Sequence, residues 1–311
     1  MTRSTIRLAG AAAAVAVALP ALAADPIVSA EDLAAMMDAG DVAVIDIRGP
    51  MGGAGPDDFA AAHIQGSAYE PFSPSSAWMT KRDGVVGMLP ETGALQATIR
   101  ALGVDAGEQV VIVSSGLEGK ALSPAAAARV YWTFKVLGHD AVSILDGGFE
   151  AWRAAGLPVT DAETMVEPGD FTAAFRPEMI ADASDVAATW SEDVALVDAR
   201  GPAMFTGEVV SGKVSKGGAI PGAVNAPYTA MMTADKTRYA TADVVRAALA
   251  EAGVAPGDES IVYCNIGLSG AAGWFAVNVI AGEEGARLYD GSAADWTAAP
   301  NRPTIITAPA G

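Results

Sequence analysis

Four short blocks of this chain occur twice, in the same order, displaced by about 150 residues. Asp41-Val-Ala-Val-Ile-Asp46-Ile-Arg48-Gly-Pro50 returns as Asp193-Val-Ala-Leu-Val-Asp198-Ala-Arg200-Gly-Pro202. His63-Ile-Gln-Gly66 and the residues to Pro71 are echoed by Ala219-Ile-Pro-Gly222 and the residues to Pro227. Val110 to Ser114 matches Ser260 to Cys264, and Asp146-Gly147 with Trp152 matches Asp290-Gly291 with Trp296. A repeat of this length is a duplicated domain rather than a short-period solenoid. The chain must therefore fold as two copies of one unit.

Each copy has the same coarse layout. An amphipathic segment (Ala30 to Ala39; Ser184 to Trp190) precedes a short unbroken apolar run (Val42 to Ile45; Val194 to Val197), the pattern of a strand covered on both faces. A Pro/Gly-rich excursion follows, then a helical stretch (Gly93 to Leu102; Asp243 to Ala252) and a second strand (Val110 to Val113; Ile261 to Tyr263). After a loop comes a long helix (Pro124 to Leu137; Gly270 to Ala281), then a third strand ending at Asp146-Gly147 and Asp290-Gly291. Strands alternating with helices predict an α/β fold: two tandem domains, each a parallel β-sheet flanked by helices. The domains are expected over 25–160 and 178–311, joined by a linker over 161–177 that has no clear period and carries Pro168, Gly169 and Pro177.

Residues 1–24 read as a secretory signal peptide. Arg3 and Arg7 form the positive end, Leu8 to Leu19 the apolar stretch, and Ala21-Leu22-Ala23 a small-residue cleavage site before Ala24-Asp25. The apolar stretch is too short for a membrane span, so export to the periplasm, with no membrane attachment after cleavage, is the expectation. The formal net charge of −18 becomes −20 once the two leader arginines are gone. Such a surface repels nucleic acid and offers an anionic substrate no long-range attraction, so any anion site has to be built locally.

With a single cysteine, an exported chain has no internal disulfide to make, which leaves Cys264 as a free thiol in an oxidising compartment. Cys264 directly follows the strand Ile261-Val262-Tyr263, and Asn265, Ile266, Gly267, Leu268, Ser269 and Gly270 lead into an apolar helix. In an open parallel sheet this end of a strand is the usual reaction site. A tight loop with two glycines turns backbone N–H groups inward, and the helix start adds unsatisfied donors, so thiolate is favoured over thiol and a terminal persulfide sulfur is held as an anion. Sulfur transfer, phosphate-ester hydrolysis and redox exchange all use such a site. A thiol phosphatase needs Arg after five intervening residues, where Gly270 stands. A thioredoxin-like motif needs a second Cys at the position of Gly267.

The motifs Asp198-x-Arg200, Gly222-Ala-Val-Asn-Ala-Pro227, Tyr263-Cys-Asn-x-Gly267 and Tyr289-Asp-Gly-Ser…Trp296 closely resemble those of tandem-domain rhodaneses of the bacterial exported type. The first half joins in through Asp46-Ile-Arg48, His63-Ile-Gln-Gly66 and Leu145 to Trp152, so the likeness spans nearly the whole chain after the leader. The resemblance implies a non-catalytic first domain, with Ser114 at the cysteine position, and a catalytic second one. It implies a sulfurtransferase that moves sulfane sulfur from a donor such as thiosulfate through a Cys264 persulfide to cyanide, a thiol or a redox protein, with no metal or organic cofactor. Two departures bear on the donor: where animal thiosulfate sulfurtransferases place basic side chains, this chain has Ile266 and Met204. Lys213, Lys216, Arg238, Lys81 and Arg82 are the alternative cations, with Asp198, Arg200 and Arg238 as supporting or substrate-binding candidates. Arg48 and Arg200 also suit a structural tie to a neighbouring loop. Two other activities stay open: a sulfane-sulfur or anion carrier with little turnover, and a 3-mercaptopyruvate sulfurtransferase, whose typical Cys-Gly-Ser-Gly loop is lacking. His63 and His139 stand far apart without ligand-like neighbours, so a metal site is not expected.

Overall fold

The computed structural model describes residues 25–40 and 42–307; the leader expected over 1–24 lies outside them. The first half runs β1 (Ile27–Val28), α1 (Ala30–Ala39), β2 (Val42–Asp46), α2 (Pro56–Ala61), β3 (Ala68–Tyr69), β4 (Thr80–Arg82), β5 (Val85–Met88), α3 (Thr92–Ala101), β6 (Gln109–Val113), α4 (Leu122–Val136), β7 (Val142–Leu145) and α5 (Gly148–Ala154). The second runs β8 (Ile180–Ala181), α6 (Ala183–Ala188), β9 (Val194–Asp198), α7 (Pro202–Thr206), β10 (Val224–Asn225), α8 (Ala242–Glu251), β11 (Glu259–Tyr263), α9 (Leu268–Trp274), β12 (Arg287–Tyr289) and α10 (Ser292–Ala298).

Each half is one parallel five-stranded sheet, ordered β1-β7-β6-β2-β3 in the first and β8-β12-β11-β9-β10 in the second. The central strands are continuous apolar runs because both sheet faces are covered. Leu33 of α1 and Phe149 and Trp152 of α5 pack with Val44, Val111 and Val113 on the outer face of the first sheet. Leu95 and Ile99 of α3 and most of α4 pack with Ile45, Val110 and Ile112 on the inner face. The second half repeats both layers.

The inner layers meet. Apart from Leu122 and Lys135, every residue of α4 is buried, although an ordinary surface helix shows one apolar stripe. Its small residues Ala125 to Ala128 and those of α9, Ala271 to Gly273, belong to a helix pair joining the halves, and one apolar cluster runs through both. Tyr131 meets Phe275 edge-on at 4.9 Å.

Three features depart from the sequence expectation. The helix expected over Gly270 to Ala281 starts at Leu268 and, after Trp274, widens into a π-helical turn over Phe275–Ile280. The excursion of the first half contains the antiparallel hairpin β4–β5, turning on Asp83 and Gly84 at φ of 51° and 89°. Asp-Gly at both left-handed positions is the preferred two-residue hairpin turn, so the signal was present in the sequence. Residues 161–176 form no helix or strand, yet they are strapped to the first half: Phe171 is buried, and the N–H groups of Gly169, Phe171 and Ala174 donate to carbonyls of Arg100, Val104 and Leu137.

Candidate active site

Strand β9 ends in Asp198, both buried and paired with the buried Arg200 two residues on. The Arg200 backbone N–H and Nε donate to Asp198 Oδ1 at 3.0 and 2.9 Å, and Nη2 donates to Oδ2 at 2.5 Å and to the carbonyl of Gly218 at 3.0 Å. Arg48 and Asp46 repeat this device in the first half, where Arg48 Nη2 donates to the carbonyl of Ala62. A guanidinium used this way ties a strand end to a loop, and its presence in both halves marks it as scaffold. In the second half Arg200 Nη1 also reaches Asn265 Oδ1 at 3.5 Å, and Asn265 Nδ2 lies 3.3 Å from the Met204 sulfur. Asp198, Arg200 and the Cys264 loop are thus one cluster.

Cys264 is the first residue beyond β11 and is only 1% exposed. Its surroundings converge on Ser292, the first residue of α10. The N–H groups of Cys264 and Gly267 both donate to Ser292 Oγ, at 3.1 and 3.0 Å. The single hydroxyl proton of Ser292 has two acceptors in reach: the Tyr289 carbonyl at 2.8 Å and the Cys264 sulfur at 3.9 Å. Ser292 holds φ at +52°, a left-handed conformation that costs a side-chain-bearing residue roughly 1–2 kcal/mol. Strain of this kind persists where surrounding contacts over-determine it, commonly at functional sites.

Gly267 is fixed twice over: φ is +77°, and a Cβ there would stand 2.7 Å from the Asp290 carbonyl and 2.8 Å from Arg129 Nη1. Beyond it, the N–H groups of Leu268, Ser269 and Gly270 open α9 with no side-chain cap and meet no acceptor among the described residues. The loop is roofed by the first half, because a Cβ on Gly87 of β5 would come within 2.4 Å of the Ile266 carbonyl. Leu268 itself turns into the core. Tyr228 lies close enough to feel the charge of Cys264: its phenol is pushed up to about 12, first by burial and then by that sulfur. A cleft of about 350 Å³ opens behind the loop between Arg82, Leu89, Phe175, Tyr289, Asp290 and neighbouring residues, without including Cys264.

Arg238 goes elsewhere. It was a candidate for the Cys264 site, but its Nε pairs with Asp146 at 3.0 Å at the end of β7, beside Gly147, on the Ser114 side of the interface. Reach across the domain boundary decides this, and sequence spacing carries no information about it. Lys216 Nζ donates to the carbonyls of Pro300 and Arg302 behind α10, and Arg82 pairs with Glu91 at 3.0 Å. No group of three or more metal-ligating side chains occurs among the described residues.

A family model described as the rhodanese-like domain matches twice, over residues 29–155 and 183–299. The chain belongs to the rhodanese family. A Pseudomonas aeruginosa protein named "Probable 3-mercaptopyruvate sulfurtransferase" is 32% identical over 285 residues, covering 89% of this chain and 96% of that one. Mycobacterium tuberculosis SseB, whose name assigns it provisionally to thiosulfate sulfurtransfer, is 30% identical over 283 residues, with 89% and 95% covered. Among solved structures, Escherichia coli SseA, described as a 3-mercaptopyruvate sulfotransferase, superposes with a TM-score of 0.72 at 27% identity, covering 86% of this chain and 99% of that one. The protein is accordingly a sulfurtransferase with a small-molecule sulfur donor and acceptor.

In this rhodanese the two halves have diverged at the position of Cys264. Ser114 stands beyond β6 where Cys264 stands beyond β11, and Gly148, at φ +61°, replaces Ser292. Beside Ser114, the residues Ser115, Ser123, Phe72 and Gly52 line a cavity of about 10 Å³, no more than one water needs. Sequence reasoning missed Ser292, Tyr228 and Arg129 as site residues. The Gly148-to-Ser292 difference between matched blocks was the available signal for the first. An arginine inside the apolar run Ala125 to Phe134 was the signal for the last.

Proposed function

We propose that this rhodanese carries sulfane sulfur as a persulfide on Cys264. The thiolate attacks the donor sulfur and the bond behind that sulfur breaks. With thiosulfate the electron pair leaves on sulfite. With 3-mercaptopyruvate the carbon–sulfur pair stays on carbon, which takes the thiol proton to give pyruvate. The persulfide then yields its outer sulfur to cyanide, giving thiocyanate, or to a thiolate, giving a new persulfide, and the Cys264 thiolate returns. The observation that carries this reading is the Ser292 hydroxyl, held by the Cys264 and Gly267 amides with its oxygen 3.9 Å from the Cys264 sulfur, next to uncapped N–H groups at the start of α9. Preorganised donors of this kind stabilise a sulfur anion in both half-reactions without reorganising.

The donor we favour is 3-mercaptopyruvate, reversing the order suggested by the sequence. Thiosulfate is a dianion, and Arg200, Arg238, Arg82 and Lys216 are committed to carboxylates or carbonyls. That leaves the Lys81 and Lys213 ammonium groups, which form no ion pair with any of the described residues. A donor carrying one carboxylate asks for less cationic help. We also propose that the protein is exported and acts in the periplasm. The protein should be recovered in the periplasmic fraction with an N-terminus near Ala24; recovery only from the cytoplasmic fraction would overturn export, and a retained Met1 would overturn cleavage.

The test of the persulfide is intact mass and turnover with each donor. The parent should gain about +32 Da, one sulfur, and turn over with a thiol or cyanide. Cys264→Ser should do neither while keeping its fold. Parent-like turnover in that variant would sink the assignment, and an adduct without turnover would favour the carrier.

A further inference from the structure

We infer that Arg129, which belongs to the first half, is a positioning residue for the Cys264 loop, gripping Asp290 and the Gly267 carbonyl at once so that the non-catalytic half completes the sulfur site. This deepens the reading of Cys264 as the sulfur carrier and rests on it. Arg129 lies in α4 and is wholly buried, a state arginine adopts almost only when paired. Its Nη2 pairs with Asp290 Oδ1 at 2.6 Å, and the two side chains are 0% and 4% exposed. Nη2 also donates to the carbonyl of Gly87 at 3.2 Å and Nη1 to that of Gly267 at 3.4 Å, while the guanidinium lies 4.5 Å over the Trp132 ring.

The contacts of Asp290 point the same way. Its second oxygen accepts the Leu89 N–H at 2.7 Å, so both grips on this carboxylate come from the first half. Asp290 is two residues before Ser292, whose hydroxyl gathers the Cys264 and Gly267 amides. Gly267 is therefore held by its N–H from the second half and by its carbonyl from the first. Arg129 joins the two segments that build the site, 264–267 and 290–292, and fixes their separation.

Stability alone does not account for it. A buried ion pair is often no better than apolar residues of the same volume, and this one meets by charge alone, since Arg129 Nε and Asp290 Oδ1 have no hydrogen-bond partner among the described residues. The reciprocal pair, Arg238 with Asp146, stands at the first-half site with its side chains 44% and 37% exposed. The chain buries its cross-domain clamp at the half that holds the sulfur.

The experiment compares the parent with Arg129→Lys and with Arg129→Met/Asp290→Asn, which removes both charges and orphans neither. Sulfur loading from 3-mercaptopyruvate and thiosulfate is followed by mass, with kcat, KM, the rate of Cys264 alkylation by iodoacetamide at pH 7, and thermal unfolding. A displaced loop should lower kcat roughly 10- to 100-fold with KM little changed, slow alkylation and leave the double variant folded. Arg129→Lys, which keeps the charge but has no fork to span both partners, should recover part of kcat. Parent-like kcat and alkylation in either folded variant would overturn the inference, and the lysine variant serves if the double variant fails to fold. A parent that itself takes up no sulfur would instead remove the Cys264 reading.

Discussion

Ser292 offers a test in which stability and chemistry separate. Ser292→Ala removes the one acceptor shared by two buried N–H groups, those of Cys264 and Gly267. Each buried donor left unpaired costs about 1–3 kcal/mol, or roughly 2–6 kcal/mol together. Alanine must still hold the left-handed backbone, so the strain of about 1–2 kcal/mol stays. Ser292→Gly loses the same hydroxyl but releases that strain, against about 0.5–1 kcal/mol of extra chain entropy in the unfolded state. The glycine variant should thus be as stable as the alanine variant, or up to about 1.5 kcal/mol more so, and the first half already uses Gly148 at this position. Both variants should load sulfur on Cys264 equally slowly, because the hydroxyl beside the sulfur is gone from each. Denaturant unfolding supplies the stabilities and time-resolved mass the loading rates. A loss under about 1 kcal/mol in Ser292→Ala would refute the shared-acceptor geometry. A glycine variant clearly weaker than the alanine variant would refute the strain.

Two further outcomes follow from the geometry. Introducing Ser114→Cys into the Cys264→Ser background should give no sulfur adduct, because Gly148 stands there in place of Ser292 and supplies no hydroxyl beside the new sulfur; an adduct of about +32 Da would show that this hydroxyl is dispensable. Asp140 is held well below the usual carboxylate range, chiefly by hydrogen bonds from Arg176 and then Lys135, so its stabilising effect is full above the usual value of 3.8 and fades as pH falls further. Asp140→Asn should cost no more than about 1 kcal/mol at pH 7, because the pair is partly exposed. The gap to the parent in thermal unfolding should narrow only below the ordinary carboxylate range, and a gap that closed by pH 6 would contradict the assignment.

The sequence by itself determined the duplication, the parallel α/β class and the placing of Cys264 at a strand end. These are carried by local signals: unbroken apolar runs that need cover on both faces, helical periodicity between them, and one residue that differs between matched blocks. Tertiary structure alone decided the rest. Edge strands such as Ile27–Val28 and Ile180–Ala181 are two residues long, too short for any period to show, and exist only because β7 and β12 offer them partners. Arg238 and Arg129 carry the same charge, yet one pairs with Asp146 of the first half and the other with Asp290 of the second, because the packing of the two halves through α4 and α9 sets which loop each can reach. Ser292 matters through where its hydroxyl stands relative to two amides some 25 residues earlier. Side-chain reach in three dimensions has no trace in one-dimensional spacing, and this site is assembled by it.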